Sequence, residues 1–486
     1  MAALPDKWLK TRLGDLIDGF EAGRNLRAEG RPATGTEFGV LKISAVSWGR
    51  FQPEENKALL ARDAPKPHEL VKKGDLLISR ANTTELVGAV ARVCEEHPRL
   101  MLPDKVLRLK VREHVVDPAF LLQALRLPAV RNHFEANATG TSDSMRNLSQ
   151  PKLEAAPVLL PPLNEQRRIV AKLEALQSRS RRARESLEAV PPLLKKLRQC
   201  VLAAAFRGDL TADWRALHPD TEPVSKVLQR IPTPPLPSRA KSRSIAVLPG
   251  DCGLSVGNPG TPTPTGWKWV SLIDVARLES GHTPSRLRPE WWGGEIPWIG
   301  IKDARDHHGR TIAETRQTTN AIGLANSAAR LLPRGTVCLS RTATIGYVTV
   351  MGEEMATSQD FVNWVCTEAV ETHWLKWLLI AERQALLRYS SQSTNVATIF
   401  YPELLAFHVC LPPPEEQREI VRQVERLMAL AVKVEQAHTG GAQLLPLLAK
   451  SMLAKAFRGE LVPQDPNDEP AEVPLTRHSR RSQATE

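Results

Sequence analysis

The sequence predicts an α+β protein with two globular α/β domains, each followed by a long helical region. One observation is that residues 161–210 (PPLNEQRRIVAKLEALQ…LAAAFRGDL) recur as residues 412–461 (PPPEEQREIVRQVERLM…LAKAFRGEL) at a constant offset of 251 residues. Self-similarity at a fixed offset indicates one structural unit built twice. The other observation is that short apolar and β-branched runs, separated by glycine and proline, precede each copy, as in strands joined by turns.

The first globular domain is predicted to consist of short strands followed by helices. Pro118 stands near the first helix, where proline favours a helix start. The predicted strands are Val40–Val46, Leu76–Ser79, Val87–Val93 and Val106–Val111, and the predicted helices are Phe120–Val130 and Arg131–Ala138.

Residues 162–207 are predicted to be helical. Prolines precede the segment, Glu165 lies in its first turn and Gly208 follows its end, which are the signals expected at the two termini of a helix. Apolar residues alternate at spacings of four and three, a coiled-coil-type seam that we expect to pack against the second copy. Pro191 and Pro192 interrupt the seam and predict a kink or a break.

The second copy also contains helix breakers, at Gly440, Gly441 and Pro446. Glycine and proline inside a helix weaken or break it. The pattern leaves open whether each helical region is one continuous helix or two segments.

The second globular domain begins near Trp267 and again alternates apolar runs with turns. Its predicted helix is His373–Arg388, and its predicted strands are Ile296–Ile301, Thr336–Ser340, Tyr347–Val350 and Phe361–Val365. One strand matches across the domains, because Lys73–Arg80 (KGDLLISR) aligns with Arg334–Arg341 (RGTVCLSR) at an offset of 261 residues. The domains otherwise diverge more than the helices, which suits two similar scaffolds with different surfaces.

The remaining segments are poor in periodic pattern. The connector contains two proline-rich stretches, 231–243 and 257–266, which are predicted to be extended, exposed linker, and the polar tail is predicted to be disordered. The predicted boundaries are 1–161 and 266–411 for the globular domains, 162–210 and 412–461 for the helical regions, 211–265 for the connector and 462–486 for the tail.

The composition is that of a globular protein with a basic excess. The formal net charge is +11, which favours a polyanionic partner such as nucleic acid. The N-terminus lacks the apolar core of a signal peptide, and no apolar run is long enough to span a membrane. Six scattered cysteines without a CxxC pair predict reduced thiols, no zinc site and a cytoplasmic location.

Catalytic signatures are absent from the sequence. The phosphate-binding loop GxxxxGK[ST], the metalloprotease motif HExxH, the nucleophile motif GxSxG and the aminomethyltransferase tetrapeptide [DNS]PP[YFW] do not occur. His307 and His308 are adjacent but have no further ligands at a suitable spacing, so no metal site is predicted. This pattern favours a binding or scaffold role.

The chain resembles the specificity subunits of type I restriction–modification systems. The resemblance is carried by the duplicated helical region, by Gly281–Arg286 with Trp292–Ile299, similar to the family's GGTP…YWGGxIPW, and by Ser340–Gly346, similar to SRxGTIG. His282 replaces a glycine of the first motif, and the first domain lacks the GGTP and IPW signatures.

This resemblance implies two target-recognition domains, held apart by an antiparallel pair of the repeated helices in a pseudo-two-fold arrangement. Each domain would read one half of a split DNA sequence, and the helices would set the spacer and dock two methyltransferase subunits. The chain itself would be non-catalytic and without cofactors. S-adenosylmethionine, ATP and Mg would belong to the partner subunits, which include the restriction and translocation subunits of the full complex.

The candidate DNA-contacting residues are polar or basic and lie at the ends of predicted strands or in loops, where base edges and phosphates can be reached. Arg80 and Arg341 are the leading pair because matching strands in both domains keep the arginine. In the first domain the candidates are Lys42, Ser44, Ser79, Arg80, Asn82, Thr83, Thr139 and Thr141. In the second domain they are Thr283, Ser285, Arg286, Lys302, Asp303, Arg341, Thr342, Thr344, Gln359, Ser391, Gln392 and Thr394.

Two other interpretations remain open at this point. A fused restriction and methylation enzyme would need catalytic motifs in this chain. A coiled-coil interaction protein that does not bind DNA would leave the two divergent globular domains unexplained. A run of arginines at 179, 181, 182 and 184 is either a solvated helix face or a contact with spacer phosphates.

Overall fold

The structure, a computed structural model, describes residues 4–47, 49–60, 63–143, 145–237, 240, 242–391 and 396–483, with the backbone alone at 141–142 and 478–483. The chain divides into two compact units. Unit 1 comprises Met1–Leu187 together with Gly440–Glu486, and unit 2 comprises Glu188–Thr439. Each unit therefore contains one globular domain and parts of both helical regions.

The elements up to the end of the first helical region alternate short strands and helices. The strands are β1 (Leu9–Arg12), β2 (Ile17–Ala22), β3 (Gly39–Leu41), β4 (Val46–Ser47), β5 (Arg50–Phe51), β6 (Asn56–Ala58), β7 (Leu76–Ser79), β8 (Ala81–Asn82), β9 (Val90–Arg92), β10 (Leu100–Met101), β11 (Val106–Val111), β12 (Thr139–Ser142), β13 (Met145–Asn147) and β14 (Pro157–Leu160). The helices are α1 (Pro118–Leu125), α2 (Pro128–Asn137), α3 (Gln150–Glu154), α4 (Leu163–Glu188) and α5 (Val190–Arg207).

The rest of the chain follows the same plan. Its strands are β15 (Leu248–Pro249), β16 (Leu254–Val256), β17 (Lys268–Ser271), β18 (Ala276–Ser280), β19 (Trp292–Ile299), β20 (Thr311–Ile312), β21 (Gln317–Thr319), β22 (Val337–Ser340), β23 (Val348–Met351), β24 (Ala356–Thr357), β25 (Phe361–Cys366) and β26 (Phe407–Leu411). Its helices are α6 (Ala212–Leu217), α7 (Val224–Arg230), α8 (Ile301–Asp306), α9 (Ala321–Ala325), α10 (Thr372–Ala381), α11 (Arg383–Arg388), α12 (Tyr401–Leu405), α13 (Pro414–Ala456) and α14 (Glu472–Gln483).

Each unit contains a central, mainly antiparallel sheet with the same core of strands. In unit 1 the order is β2-β11-β7-β9, and in unit 2 it is β18-β25-β22-β23-β20, so β7 and β22 occupy the same position. Both strands are buried on every residue, which explains why each is a continuous apolar run. The predicted strands Leu76–Ser79 and Val106–Val111 are confirmed.

Three predicted elements are interrupted in the structure. The helix expected over Phe120–Val130 ends at Leu125 and a new one starts at Pro128, because proline fits the first turn and forces the preceding residue into an extended conformation. The helix expected over His373–Arg388 is divided at Glu382. The strand expected over Val40–Val46 is interrupted by a 3-10 turn at Ile43–Ala45.

The two helical regions differ in continuity. The first is divided at Ala189 into α4 and α5, and Pro191 and Pro192 lie in the first turn of α5, where a missing N–H costs little. The second is the single 43-residue helix α13, with Pro446 inside it. The predicted break is thus present in the first region, and the glycine pair of the second region does not end its helix.

The helical regions run antiparallel within each unit. In unit 1, Leu187 lies beside Gly441, while Gln177 lines a groove with Leu453. In unit 2, Arg198 forms an ion pair with Glu435 at 2.7 Å, and Phe206 shares a core with Ile420. In both units, residue numbers increase along α4 and α5 in the direction in which they decrease along α13, so the two helical regions are antiparallel.

The core of each unit is closed by equivalent residues from the two helical regions. In unit 1, Ile169 of α4 is buried, and Phe457 meets Phe120 of α1 with ring centres 5.2 Å apart. In unit 2, Ile420 of α13 is buried, and Phe206 of α5 meets Trp374 at 5.9 Å. Burying a side chain of this size contributes about 1.5–3 kcal/mol. The start of one helix and the end of the other therefore belong to one core.

The glutamine of the repeated NEQR or EEQR motif fastens each helix start to its globular domain. Gln166 accepts a hydrogen bond from the N–H of Asp117 at 2.8 Å and donates to the carbonyls of Val115 and Pro161 at 3.1 and 2.8 Å. The glutamine is fully buried in both copies. Losing it would leave several backbone groups without partners.

Gln417 makes the same three contacts in unit 2. It accepts from the N–H of Glu371 at 2.7 Å and donates to the carbonyls of Ala369 and Pro412, both at 2.8 Å. Gln417 thus accepts from the N–H of the residue that precedes α10, as Gln166 accepts from the N–H of the residue that precedes α1. The motif is thus a structural joint that orients a helix on its domain.

Parts of the connector are folded into unit 2. Val224 and Val227 of α7 and Leu254 of β16 are buried, and β16 pairs with β26. The carboxylate of Glu382 accepts hydrogen bonds from the backbone N–H groups of residues 251–254 at 2.6–3.1 Å. These parts lie outside the two proline-rich stretches that are predicted to be extended, and spaced apolar residues and one distant carboxylate bind them to unit 2.

The tail also differs from the disorder that its polarity predicts. Asp468 and Ala471 are buried, and Asp468 forms an ion pair with Arg168 of α4 at 2.6 Å. The Lys7 ammonium donates to the carbonyls of Asp465 and Asp468 at 3.3 and 2.5 Å. Specific partners within unit 1 thus hold a segment whose composition alone would leave it unfolded.

Candidate nucleic-acid interface

The ends of β7 and β22 are built by the same backbone hydrogen bonds. In unit 1, the Ser79 N–H donates to Ala89 O at 2.9 Å, and the Arg80 N–H donates to Lys105 O at 3.0 Å. Gly88, at φ 78°, then donates to Ser79 O at 2.8 Å. A positive φ at this turn favours glycine.

In unit 2 the pattern repeats with other residues. The Ser340 N–H donates to Tyr347 O at 2.9 Å, and the Arg341 N–H donates to Asp360 O at 2.8 Å. Gly346, at φ 91°, donates to Ser340 O at 3.0 Å. The predicted equivalence of Arg80 and Arg341 therefore extends to the turns around them.

Arg341 is half-buried and holds a neighbouring segment. Its Nη1 donates to the carbonyl of Ile399 at 3.3 Å, and its guanidinium carbon lies 5.9 Å from the centre of the Tyr401 ring. Burial lowers the pKa of Arg341. Its Nε is buried and donates to no protein atom among the described residues. The side chain thus fixes the segment that follows residue 396.

Arg80 occupies the same position with different neighbours. Its carbonyl accepts from the N–H of Leu148 at 2.8 Å, as the Arg341 carbonyl accepts from Ile399 at 2.9 Å. Its Nε is also buried and, within the described ranges, donates to no protein atom. The backbone hydrogen bonds around Arg80 and Arg341 are therefore the same, but the segments that bind their carbonyls, at Leu148 and Ile399, differ in sequence.

Further candidates of the first domain cluster around Arg80. Asn82 on β8 lies opposite Arg146 on β13, and Thr139 on β12 lies opposite Asn147, to whose carbonyl its hydroxyl donates at 3.3 Å. Thr83 follows β8 directly and uses its carbonyl to accept from Leu86 and Val87 at 3.0 and 2.9 Å. Thr141 lies on β12, and its side chain is outside the described part.

Three candidates of the first domain have local partners. Lys42 and Ser44 both contact Glu55, at 3.4 and 2.7 Å, so they form a separate polar group beside the 3-10 turn. Ser79 is fully buried and donates to Ala81 O at 3.2 Å. Ser79 therefore shapes the strand end and offers no surface to a ligand.

In the second domain, several candidates converge beside Arg341. Thr342 and Ser391 each form an isolated bridge with Thr398, and the Thr283 hydroxyl donates to Gln359. Thr344 is exposed, and its carbonyl accepts from Ser340 Oγ at 2.6 Å. Gln392 and Thr394 lie outside the described residues.

The remaining candidates of the second domain divide into exposed and buried residues. Ser285, Arg286 and Lys302 are exposed. Asp303 is 4% exposed and caps α8, because its carboxylate accepts from the N–H groups of Gly300 and Arg316, both at 3.0 Å. Because both carboxylate oxygens of Asp303 already bind the backbone, this residue is not part of the candidate DNA-contacting surface.

The sequence did not single out Arg146, nor the two indoles that lie against Arg286. Arg146 donates to the carbonyls of Ala138 and Gly140 at 3.1 and 3.2 Å, which braces β12. Trp292 and Trp298 meet edge to face, with ring centres 5.1 Å apart. Both tryptophans lie in the WGGxIPW motif, so the motif signals the aromatic group but not the arginine against its rings.

Within the described part of the chain, no group of three or more His, Cys, Asp or Glu side chains comes together as metal ligands. None of its helices is long and apolar enough to cross a membrane. Arg179, Arg181, Arg182 and Arg184 are all exposed on α4.

Residues 264–439 match the family model described as "Type I restriction modification DNA specificity domain". The EcoBI specificity subunit of Escherichia coli is 26% identical over 378 residues, covering 75% of this chain and 70% of that protein. The chain is thus similar to type I restriction enzyme specificity subunits over much of its length. The matched range contains Arg286 and Arg341.

Other specificity subunits align over shorter stretches. The EcoEI subunit of Escherichia coli is 30% identical over 172 residues, which is 35% of this chain and 29% of that protein. The alignment thus spans less than two thirds of that relative's length. A crystal structure of the HsdS subunit from Thermoanaerobacter tengcongensis has a TM-score of 0.59 and 22% identity, covering 95% of this chain and 99% of that one, which shows a shared fold.

Proposed function

We propose that this chain is the non-catalytic DNA-recognition subunit of a type I restriction–modification complex. Each globular domain reads one half of a bipartite double-stranded DNA target. The two helical regions set the spacer between the halves and dock two methyltransferase subunits. The restriction and translocation subunits of the full complex, with S-adenosylmethionine, ATP and Mg, supply the chemistry.

The observation that carries this proposal is the pair of equivalent strand ends at Arg80 and Arg341. Hydrogen bonds of the same pattern build both ends, yet the segments laid against them differ, with Leu148 in one unit and Ile399 in the other. One scaffold with two different surfaces suits two different half-sites, because base identity is read by side chains while phosphate contacts fix position.

The joints at the helix starts support docking of two copies of one partner. Gln166 and Gln417 make the same three contacts, so each helix leaves its domain in the same local geometry. Two equivalent surfaces can bind two identical subunits. The net charge of +11 adds a favourable interaction with the DNA backbone, which weakens as salt rises.

The proposal is tested by selecting bound duplexes from a randomised DNA library with the full chain, alone and with the methyltransferase subunits. We expect a bipartite sequence with a fixed spacer when the partner is present. Methylation or cleavage by the chain alone would contradict the non-catalytic assignment. A library without any enriched sequence under either condition would favour a pure interaction protein.

A further inference from the structure

Arg286 lies on the surface of unit 2 against the edge-to-face pair of indole rings of Trp292 and Trp298. Its guanidinium carbon is 4.9 Å from the centre of the Trp292 ring and 5.5 Å from that of the Trp298 ring. Arginine stacks its planar guanidinium on aromatic faces, and stacking leaves the N–H donors at the edge of the plane available. The side chain therefore has a defined orientation although it is exposed.

The indoles are fixed to the loop that carries this arginine. Trp292 Nε1 donates to the carbonyl of Ser285 at 3.2 Å, and Trp298 Nε1 donates to the carbonyl of His282 at 3.2 Å. Nη2 of Arg286 donates to Gln317 Oε1, also at 3.2 Å. These contacts hold the Arg286 side chain in place, so binding through Arg286 would lose little side-chain entropy.

The charge of Arg286 is not neutralised by a local acid. Among the described residues, none of its contacts is a carboxylate within ion-pair distance. Arg288, two residues along, is equally exposed but pairs with Glu290 at 3.6 Å. Arg341 is half-buried and donates to Ile399. Of these three arginines, Arg286 alone is exposed, oriented and free of an acidic or backbone partner.

We infer that Arg286 reads a guanine in the second half-site by donating two hydrogen bonds to O6 and N7 of the base in the major groove. A guanidinium has only donors, and guanine is the base whose major-groove edge presents two acceptors side by side. Arg341 then acts as a positioning residue, which holds the segment around Ile399. This inference rests on the proposed function and assigns a base to one residue of it.

A phosphate contact is the competing role for the same side chain, and it behaves differently. A phosphate contact adds affinity for every sequence, and its loss reduces the salt dependence of binding by about one unit of slope. A bidentate base contact affects one base pair and depends on the fork of the guanidinium, which lysine lacks.

The test selects bound duplexes from a randomised library with the full chain and its methyltransferase subunits, comparing the wild type with Arg286→Ala, Arg286→Lys and Arg288→Ala. We expect Arg286→Ala to lower the preference for guanine at one base pair of a single half-site by roughly 10- to 100-fold. Arg286→Lys should lose the same preference although it keeps the charge. Arg288→Ala should retain it. Thermal unfolding of each variant checks that the fold is unchanged.

Three results would overturn the inference while the proposed function stands. One is a wild-type half-site without guanine, and another is an unchanged preference in Arg286→Ala. The third is a uniform loss of affinity that Arg286→Lys restores, which would assign the residue to a phosphate. A wild-type selection that yields no bipartite sequence would instead refute the proposed function itself.

Discussion

Each unit buries an equivalent glutamate, Glu165 in unit 1 and Glu416 in unit 2, but different parts of the chain surround it. In unit 1, Glu165 accepts hydrogen bonds from Trp8 Nε1 at 3.0 Å and from Gln464 at 2.5 Å, which come from opposite ends of the described chain. Burial raises the pKa of Glu165, and the hydrogen bonds from Gln464 and Trp8 offset this rise only in part. The nearby Arg168 is occupied by Asp468.

In unit 2, Glu416 accepts from Trp267 Nε1 at 2.8 Å, from the Thr211 hydroxyl at 2.7 Å and from Arg215 at 2.9 Å. The connector therefore supplies to unit 2 what the terminal segments supply to unit 1. Both units keep the glutamate and a tryptophan that donates to it, whereas the other hydrogen-bond donors differ between the units. The difference teaches that the buried carboxylate is the element that both units need.

Removing the tail should have the largest effect and should act on one unit. Deletion of residues 463–486 leaves Arg168 without Asp468 and Glu165 with Trp8 as its remaining donor. We expect the free energy of unfolding of unit 1 to fall by about 3–5 kcal/mol. Hydrogen–deuterium exchange over 163–175 should rise, while the matched segment 414–426 serves as the control. Equal exchange in both segments would show that the tail is dispensable.

Substituting the tryptophan beside each glutamate should destabilise the two units to different extents. Trp8→Phe removes one of two donors to Glu165, and we expect a loss of about 1–3 kcal/mol in the free energy of unfolding. Trp267→Phe should cost less than the same change in unit 1, because Arg215 and Thr211 still bind Glu416. Denaturant unfolding of both variants measures the difference, and equal losses would contradict the assigned partners.

Substituting the matched arginines should relax different halves of the DNA target. Arg341→Ala frees the segment around Ile399, so base preference should fall by about tenfold, equivalent to about 1.4 kcal/mol, in one half-site. Arg80→Ala should do the same in the other half-site. Selection from a randomised library checks both, and a loss spread over both halves would argue against separate recognition surfaces.

The ion pair of the tail should make unit 1 sensitive to acid. Arg168 holds the pKa of Asp468 below its usual range. Since the folded-state pKa lies below the unfolded value of about 3.9, the pair stabilises the fold above that pH and loses this effect as pH falls through the folded pKa.

Asp468→Asn should therefore weaken the protein by about 1 kcal/mol at neutral pH and show less further loss in acid than the wild type. Asp306→Asn, which removes an exposed carboxylate paired with Arg305 and Arg316 in unit 2, is the control with a smaller expected change. Urea unfolding at pH 7 and pH 3 would measure both; identical pH profiles for wild type and Asp468→Asn would reject this role.

Elements with one dominant signal could be predicted from the sequence. The strand Leu76–Ser79 is a short apolar run buried on both faces, and the end of α5 at Gly208 needs a left-handed residue, seen at φ 83°. Elements whose ends depend on distant groups could not. The break at Glu382 accompanies the binding of that carboxylate to residues 251–254, more than a hundred positions away in the sequence.

The candidate site follows the same division. Arg80 and Arg341 could be found because the strand that ends at them is repeated. The burial of Ser79 and Asp303 could not, because a polar residue at a strand end can face solvent or satisfy the backbone. Arg286 is one candidate among many, and its placement against Trp292 and Trp298 depends on the pairing of β19 with β21.

The sequence by itself determined that one unit was built twice, where its helices and central strands lie, and to which family the motifs point. Apolar periodicity and repeated residues record these features locally along the chain. The tertiary structure decided how the chain is shared between the units, why the motif glutamine and glutamate recur, and which arginine is exposed and which is embedded. Those outcomes depend on hydrogen bonds and ring contacts between residues far apart in sequence, which no local pattern contains.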